Sequence, residues 1–320
     1  MSEALKSETR PLAALLDQSG ITYAVVGLDR LERETRISPS PTICVAVLAR
    51  LTRRVGLIAA VCPQRDHPYN FARRAASLDH FSHGRSGVVV LREDRRVDLG
   101  AARKSSWTPD PIDSAAAADS VVAARALWRT WPIESLDSDA QKAAAATIRL
   151  ANHDGIFRSK GPLNSPTTPQ TEPIVFWPWD GEDPETELHL ISDATDVVLV
   201  RECQVDGLLS SIRSMSGELT RPLPFQIHVR TASQESVHAV IERWAQHSDV
   251  SGVCLTNDAD MPLNDFLVRL AELSAGDSQK TENRSSSGAT LRRALDVPLR
   301  LRPDLRDNPT AFARATKEAW

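Results

Sequence analysis

The 320-residue sequence predicts an α/β fold built on one parallel sheet. Short apolar runs alternate with helical patterns along the chain, and within each run the apolar residues are continuous. Strands of that kind are typical of parallel sheets that helices cover on both faces. We count seven such runs, one fewer than the strands of a (β/α)8 barrel. A doubly wound sheet is the alternative, although no GxGxxG or GxxxxGK(S/T) motif follows any run.

The first part of the chain contains three helix–strand units. The predicted helices cover 11–19, 42–53 and 68–82, and the strands that follow or separate them cover 21–28, 55–61 and 87–91. Gly20 ends the first helix. In the third helix Phe71, Ala75 and Leu78 share one face, which predicts packing against the sheet.

The second part opens with a long helix at about 113–131, capped by Asp113 or Ser114. The proline-rich stretch 133–172 is predicted to be mostly irregular. Beyond it we predict strands over 173–177, 195–201, 223–229 and 251–256, with helices over 183–192, 204–217, 233–247 and 262–275. We therefore assign residues 1–275 to the sheet domain.

The C-terminal region has a different composition. Residues 276–289 are rich in serine and low in apolar content, which predicts a flexible linker. Residues 290–320 form a tail with a short helix expected near 308–318.

Composition narrows the class of partner and the location. A net charge of −4 argues against binding to nucleic acid or to an anionic membrane. No apolar run approaches the ~18 residues of a membrane span, and no secretory signal opens the chain. The four cysteines are widely spaced, so we expect no metal site or disulfide framework and a cytoplasmic location.

Three ordered segments resemble one enzyme family. They are HPYNFARRAASLDHFSHGR at 67–85, ALWRTW at 126–131 and HDGIFRSKGPLNSPTTPQTEPIV at 153–175. These segments are similar to the bacterial-luciferase-like, flavin-dependent monooxygenases of the nitrilotriacetate monooxygenase type. The resemblance implies a TIM-like (β/α)8 barrel, here incomplete, whose seven recognisable strands correspond to strands two to eight. The missing first strand would leave the edges 21–28 and 251–256 exposed, unless a partner or another segment covers them or the start codon lies upstream.

The resemblance also implies a reaction. Family members bind reduced FMN, usually delivered by a separate flavin reductase, at the carboxyl ends of the strands and insert one oxygen atom into a small organic substrate. A homodimer is expected through helices near the second and third strands, and the apolar helix at 42–51 is compatible with that pairing.

Five residues at predicted strand ends are candidates for the site. His67 is the candidate general base, or else a hydrogen-bonded loop histidine. The candidate cofactor contacts are Asp29, Cys62, Tyr69 and Trp177. Asp29 could instead cap a turn, and Trp177 could plug the barrel mouth rather than stack on a planar ligand.

The strand ends that would grip FMN differ from the family pattern. Cys62-Pro63 replaces a hydroxyl-bearing segment, and Val88-Val89 stands where Trp and Asn are expected. Trp177-Pro178-Trp179 replaces a turn of small residues. The sequence thus supports two hypotheses: an FMN-dependent monooxygenase, or a non-catalytic relative that serves as an accessory subunit or a ligand-binding barrel.

Overall fold

The fold is described by a computed structural model over residues 2–31, 39–94, 113–132, 147–215, 223–232, 237–257, 262–275, 289–300 and 305–311. Its strands are β1 (Tyr23–Val26), β2 (Gly56–Val61), β3 (Ser86–Val90), β4 (Asn152–Asp154), β5 (Arg158–Lys160), β6 (Ile174–Pro178), β7 (Val197–Arg201), β8 (Gln226–Ala232) and β9 (Gly252–Thr256). Seven of them form one parallel sheet in the order β1-β2-β3-β6-β7-β8-β9, and β4 pairs with β5 in an antiparallel hairpin. The sheet curls into a half-barrel, as predicted. Because its strand order never reverses, the doubly wound alternative is wrong.

Helices alternate with the parallel strands. They are α1 (Ser2–Gln18), α2 (Pro41–Leu51), α3 (Pro68–Phe81), α4 (Ser114–Trp128), α5 (Pro184–Ala194), α6 (Val205–Ser214), α7 (Val237–Ala245), α8 (Leu263–Ala275) and α9 (Leu291–Ala294). Within the ranges given above, no helix is long and apolar enough to cross a membrane.

Three predicted segments differ in the structure. Helix α1 begins at Ser2, before the predicted start at residue 11, because polar residues without an apolar face gave no signal there. The hairpin β4–β5 lies inside the stretch predicted to be irregular. The short helix of the tail is α9, and no helix occurs over 305–311. The remainder of the predicted tail helix and residues 276–288 of the predicted linker lie outside the described residues.

The half-barrel has two apolar layers, one on each face of the sheet. The inner layer is formed by buried side chains such as Ile58, Val89, Phe176 and Leu199. The outer layer lies between the sheet and the helices and includes the buried tryptophans of β6 and α4. Because successive residues of a strand point to opposite faces, the sequence of each strand alternates between these two layers.

The sheet has β1 and β9 at its edges, and a side-chain contact crosses the half-barrel from β1 to β8, the neighbour of β9. The Tyr23 hydroxyl lies 2.8 Å from His228 Nδ1, and their rings stack at 5.7 Å. Burial raises the pKa of Tyr23 well above its usual range and lowers the pKa of His228 to about 4. Both groups are therefore neutral at pH 7 and interact through an uncharged hydrogen bond. Outside the sheet, α1 packs on α8 through residues such as Leu16 and Leu270.

Residues 289–300, called the C-terminal segment below, cover the amino-terminal end of the half-barrel. Leu291 is buried against Gly56 and Gly87, where its methyl carbons would lie within 3.4 Å or less of an added Cβ atom. A Cβ atom at Gly56 would lie 2.5 Å from Leu291 Cδ1, so a larger residue there would push the Leu291 side chain aside. The Leu291 N–H donates to the Gly84 carbonyl at 2.8 Å, and the Gln226 side chain donates to the Leu295 carbonyl at 2.7 Å.

A buried ion cluster fastens this segment to the sheet. Asp196 immediately precedes β7. Its carboxylate accepts hydrogen bonds from Arg125 of α4 and from the Val175 N–H of β6, each at 2.9 Å. Arg292 and Arg300 also lie within salt-bridge distance of it, at 3.6 and 3.8 Å. Burial raises the pKa of the Asp196 carboxyl, but the three guanidinium groups outweigh burial and leave its pKa below the usual value.

Replacing this carboxylate should destabilise the fold strongly. We expect Asp196→Asn to lower the free energy of unfolding by about 3–5 kcal/mol, because three buried or half-buried guanidinium groups would lose their shared counter-charge. The matched substitution Asp154→Asn, in an exposed pair with Arg158, should cost less than about 0.5 kcal/mol. Urea unfolding at pH 7 measures both values, and equal losses would contradict the assignment.

The same carboxylate sets a pH dependence. Because the pKa of Asp196 is lowered in the folded state, its contribution is complete above the ordinary carboxyl pKa near 4. It is lost as the pH falls below that value and through the folded-state pKa. The difference in stability between wild type and Asp196→Asn should therefore shrink below about pH 4.

Candidate functional site

The carboxyl ends of the parallel strands form the mouth of the half-barrel, where barrel enzymes place their chemistry. Because facing alternates along a strand, the residues of the inner apolar layer show which side chains point inward at the strand ends. Cys62 follows Ala60 at the end of β2, and Arg201 follows Leu199 in β7. Arg230 occupies the matching position of β8, in register with Arg201 of β7 and Cys254 of β9. The mouth thus has one half at β1, β2, β3 and β6, and another at β7, β8 and β9.

The first half is closed by the protein's own polar groups. The buried Cys62 thiol donates to Gln64 Oε1 at 3.5 Å, and that oxygen accepts from the Asp94 N–H at 2.8 Å. The buried Asp94 carboxylate pairs with Arg30 at 2.7 Å and with Arg65 at 3.1 Å. Burial raises the pKa of the Cys62 thiol to about 12, so no thiolate forms at pH 7.

The end of β6 is also occupied by internal contacts. Trp177 is 2% exposed and lies in the outer layer, where its indole N–H donates to Glu187 Oε1 at 2.8 Å. Burial raises the pKa of Glu187 to about 7, although the Trp177 hydrogen bond opposes that shift and the nearby Asp180 adds to it. Close to Trp177 and Glu187, Arg92 forms salt bridges with Asp180 and Glu182 at 3.0 and 2.5 Å.

His67 and Tyr69 lie together at the start of α3. His67 is the N-cap residue, and its Nδ1 accepts from the Tyr69 N–H at 3.3 Å. The His67 ring meets Phe157 edge-on at 6.3 Å, and the Tyr69 hydroxyl donates to the Pro162 carbonyl at 3.2 Å. Both side chains thus take part in contacts that position the helix.

The five predicted site residues do not converge on one pocket. Cys62 faces the inside of the half-barrel, whereas Trp177 and Tyr69 pack in the outer layer. Asp29 lies in a short 3-10 helix, Leu28–Leu31, and its side chain is outside the described part of the chain. Their roles toward a cofactor stay predictions.

The described ends of β2, β3 and β6 do not fit FMN. Val88 and Val89 are buried in the two apolar layers and offer no polar side chain to an isoalloxazine edge. The Cys62 thiol and the Asp94 N–H already donate to Gln64 Oε1. Arg30, Arg65 and Arg92 are already engaged with the carboxylates of Asp94, Asp180 and Glu182. Leaving a flavin polar group unpaired there would cost on the order of 1–3 kcal/mol.

The second half of the mouth holds a cavity of about 420 Å³. Its lining residues are Arg201, Glu202, Cys203, Arg230, Thr231 and Thr256. Sequence reasoning missed it, because Arg201 and Arg230 are single arginines at the ends of separate strands. The signal that could have found them is that both are charged residues which end apolar runs predicted to be strands. Across the described residues, no group of three or more His, Cys, Asp or Glu side chains could hold a metal ion.

Comparison with known proteins shows the family. The model of the luciferase-like monooxygenases matches residues 3–177, more than half of the chain. The chain belongs to the luciferase-like monooxygenase family. The resemblance inferred from the three sequence segments is therefore confirmed.

Curated relatives of this luciferase-like protein include two proteins named as parts of larger enzymes. It is 32% identical to a subunit of pristinamycin IIA synthase from Streptomyces pristinaespiralis over 170 residues, which cover 50% of the chain and 54% of the relative. It is 27% identical to nitrilotriacetate monooxygenase component A of Aminobacter aminovorans over 144 residues, covering 42% and 31%. The matches thus span about half or less of these relatives.

Solved structures of the family share its fold. A riboflavin lyase has a TM-score of 0.66 at 17% identity, with 91% of this chain and 89% of that chain covered. The EDTA monooxygenase of Chelativorans sp. BNC1 has a TM-score of 0.65 at 16% identity, with coverage of 92% and 91%. At such identities, the similarity of these luciferase-like proteins establishes the fold alone.

The Glu187 carboxyl predicts a second pH effect. With its pKa raised from 4.5 to about 7, the folded state keeps a proton that the unfolded state has released between these values. Stability should therefore fall as the pH rises from about 4.5 to 7 and level off above, by on the order of 1–3 kcal/mol. Glu187→Gln should remove this fall, whereas Glu185→Gln on the exposed face of the same helix should keep it. Denaturant unfolding at pH 5 and pH 8 measures the change in the free energy of unfolding. The same change in Glu187→Gln as in the wild type would reject the assignment.

Proposed function

We propose that this chain is a subunit of a luciferase-like, flavin-dependent monooxygenase and that a partner barrel holds the reduced FMN. The observation that carries the proposal is the closed half of the mouth. There the Asp94 carboxylate pairs with both Arg30 and Arg65, and the Cys62 thiol donates to Gln64. A flavin ring would have to displace these buried contacts and leave charged groups unpaired.

The relatives support a shared enzyme. The pristinamycin IIA synthase relative is, by its name, one subunit of that synthase, and it is similar to half of this chain. The outer face of α2 offers a surface for pairing, because Ile43 and Val47 are 61% and 46% exposed. In an enzyme paired through α2, the related barrel would bind the reduced FMN, and the mouth of this chain would not take part in catalysis. A cytoplasmic location and a homodimer remain predictions from the sequence.

A second candidate is that the chain itself acts as the monooxygenase. In this case it would use reduced FMN from a separate reductase to oxidise a small organic substrate. The family match supports this candidate, as does the monooxygenase activity in the names of several relatives. So does the cavity at β7, β8 and β9, which lies at the end of the barrel where the family's chemistry occurs.

Titration with flavin separates the two candidates. We expect the purified chain to bind neither FMN nor reduced FMN with a Kd below about 100 μM, because the strand ends are filled by internal contacts. Quenching of FMN fluorescence and anaerobic calorimetry measure this, with a flavin-binding luciferase-like monooxygenase as the positive control. Submicromolar binding by the chain alone would overturn the subunit proposal in favour of the enzyme.

Light scattering of the same sample addresses the partner. A mass near 35.1 kDa would support a partner of different sequence, and twice that mass would support the homodimer.

A further inference from the structure

Two arginines stand side by side at the mouth of the half-barrel. Arg201 at the end of β7 is in register with Arg230 of β8, and Arg230 is in register with Cys254 of β9. Neighbouring strands lie about 4.8 Å apart, and like charges directly opposite each other in a sheet are unfavourable. Solvent screens the exposed Arg201, whereas the half-buried Arg230 is less screened and gains more from a counter-charge.

Described residues supply no carboxylate to either guanidinium. Arg201 Nε donates to the neutral Gln204 Oε1 at 2.9 Å, and Arg230 Nε is buried without an acceptor. Glu202 lies in the same cavity, but its carboxylate accepts from the Thr231 hydroxyl at 2.6 Å and pairs with Arg243 at 3.1 Å. The positive charge of the arginine pair is therefore not offset by the described groups around it.

The cavity beside the pair is large enough for a small molecule. Its volume of about 420 Å³ lies within the range of small-molecule sites. The Thr256 hydroxyl donates to the Thr231 carbonyl at 3.0 Å, which fixes the wall on the β9 side. Beneath the cavity the Tyr23–His228 pair is uncharged, so no negative charge from that layer neutralises the arginines.

We propose that the cavity at the ends of β7, β8 and β9 binds a small organic molecule through a carboxylate or phosphate group held by Arg201 and Arg230. Guanidinium groups present paired N–H donors that match both oxyanions, and a bound anion would supply the acceptor and counter-charge that the described residues do not provide. The site is separate from the closed half of the mouth, so the proposal holds whichever chain carries the flavin.

Calorimetry with succinate and with inorganic phosphate as probes tests the site at low ionic strength. We expect saturable binding of at least one probe, weakened at least tenfold in Arg230→Gln and weakened again by added salt. The control Arg213→Gln removes the same charge from an exposed position in the last turn of α6 and should leave binding unchanged. Arg230→Lys, which keeps the charge without the paired donors, should give an intermediate loss and guards against a folding defect in Arg230→Gln.

Two outcomes would overturn the proposal. One is the absence of saturable binding of both probes, and the other is an equal loss in Arg230→Gln and Arg213→Gln. Parallel titrations with FMN and riboflavin identify the source of the oxyanion. Binding of succinate without FMN supports both this site and the subunit function. Tight FMN binding that Arg230→Gln abolishes, with no binding of riboflavin, supports this site and rejects the subunit function.

Discussion

The carboxylate of Asp196 joins parts of the chain that are far apart in sequence. It accepts from Arg125 of α4 and from the backbone of β6, and it lies within reach of Arg292 and Arg300 of the C-terminal segment. Because a buried charge is tolerated only when it is paired, these elements must meet at one place. That place is the amino-terminal end of the half-barrel, which the C-terminal segment covers with Leu291.

Closure of one end leaves the ligand-facing features at the other. The carboxyl ends of the strands carry charged side chains there, and the two halves of the mouth resolve their charges differently. In the first half the Asp94 carboxylate pairs with both Arg30 and Arg65. In the second half Arg201 and Arg230 share an open cavity in which the Glu202 carboxylate is paired with Arg243 rather than with either of them. The strand ends therefore form one half whose charged groups bind one another and a second half with an open cavity.

Neutral groups fill the layer between these ends. Burial keeps the Cys62 thiol protonated, and it keeps Tyr23 of β1 and His228 of β8 uncharged where their side chains meet. The interior therefore contributes packing and uncharged hydrogen bonds, while ionised groups are confined to its two ends.

The sequence alone determined the order and type of most elements. Continuous apolar runs such as 197–201 can be strands only when both faces are covered, so they predicted the parallel sheet and its surrounding helices. The segments at 67–85 and 153–175 identified the family for the same reason, since they encode packing and strand entry. Elements without an apolar period were missed: the start of α1, the β4–β5 hairpin, and α9, whose buried Leu291 packs against the half-barrel.

The site depended on tertiary structure. Trp177 and Cys62 both sit at strand ends in the sequence, yet the pleat turns Trp177 to the helices and Cys62 to the interior. Arg201 and Arg230 are separated along the chain and meet because the β7–β8 register places them opposite each other. Strand register and the direction in which each side chain faces arise from the packing of the whole sheet. The sequence therefore shows which residues are charged, but it does not show which of them line the same cavity.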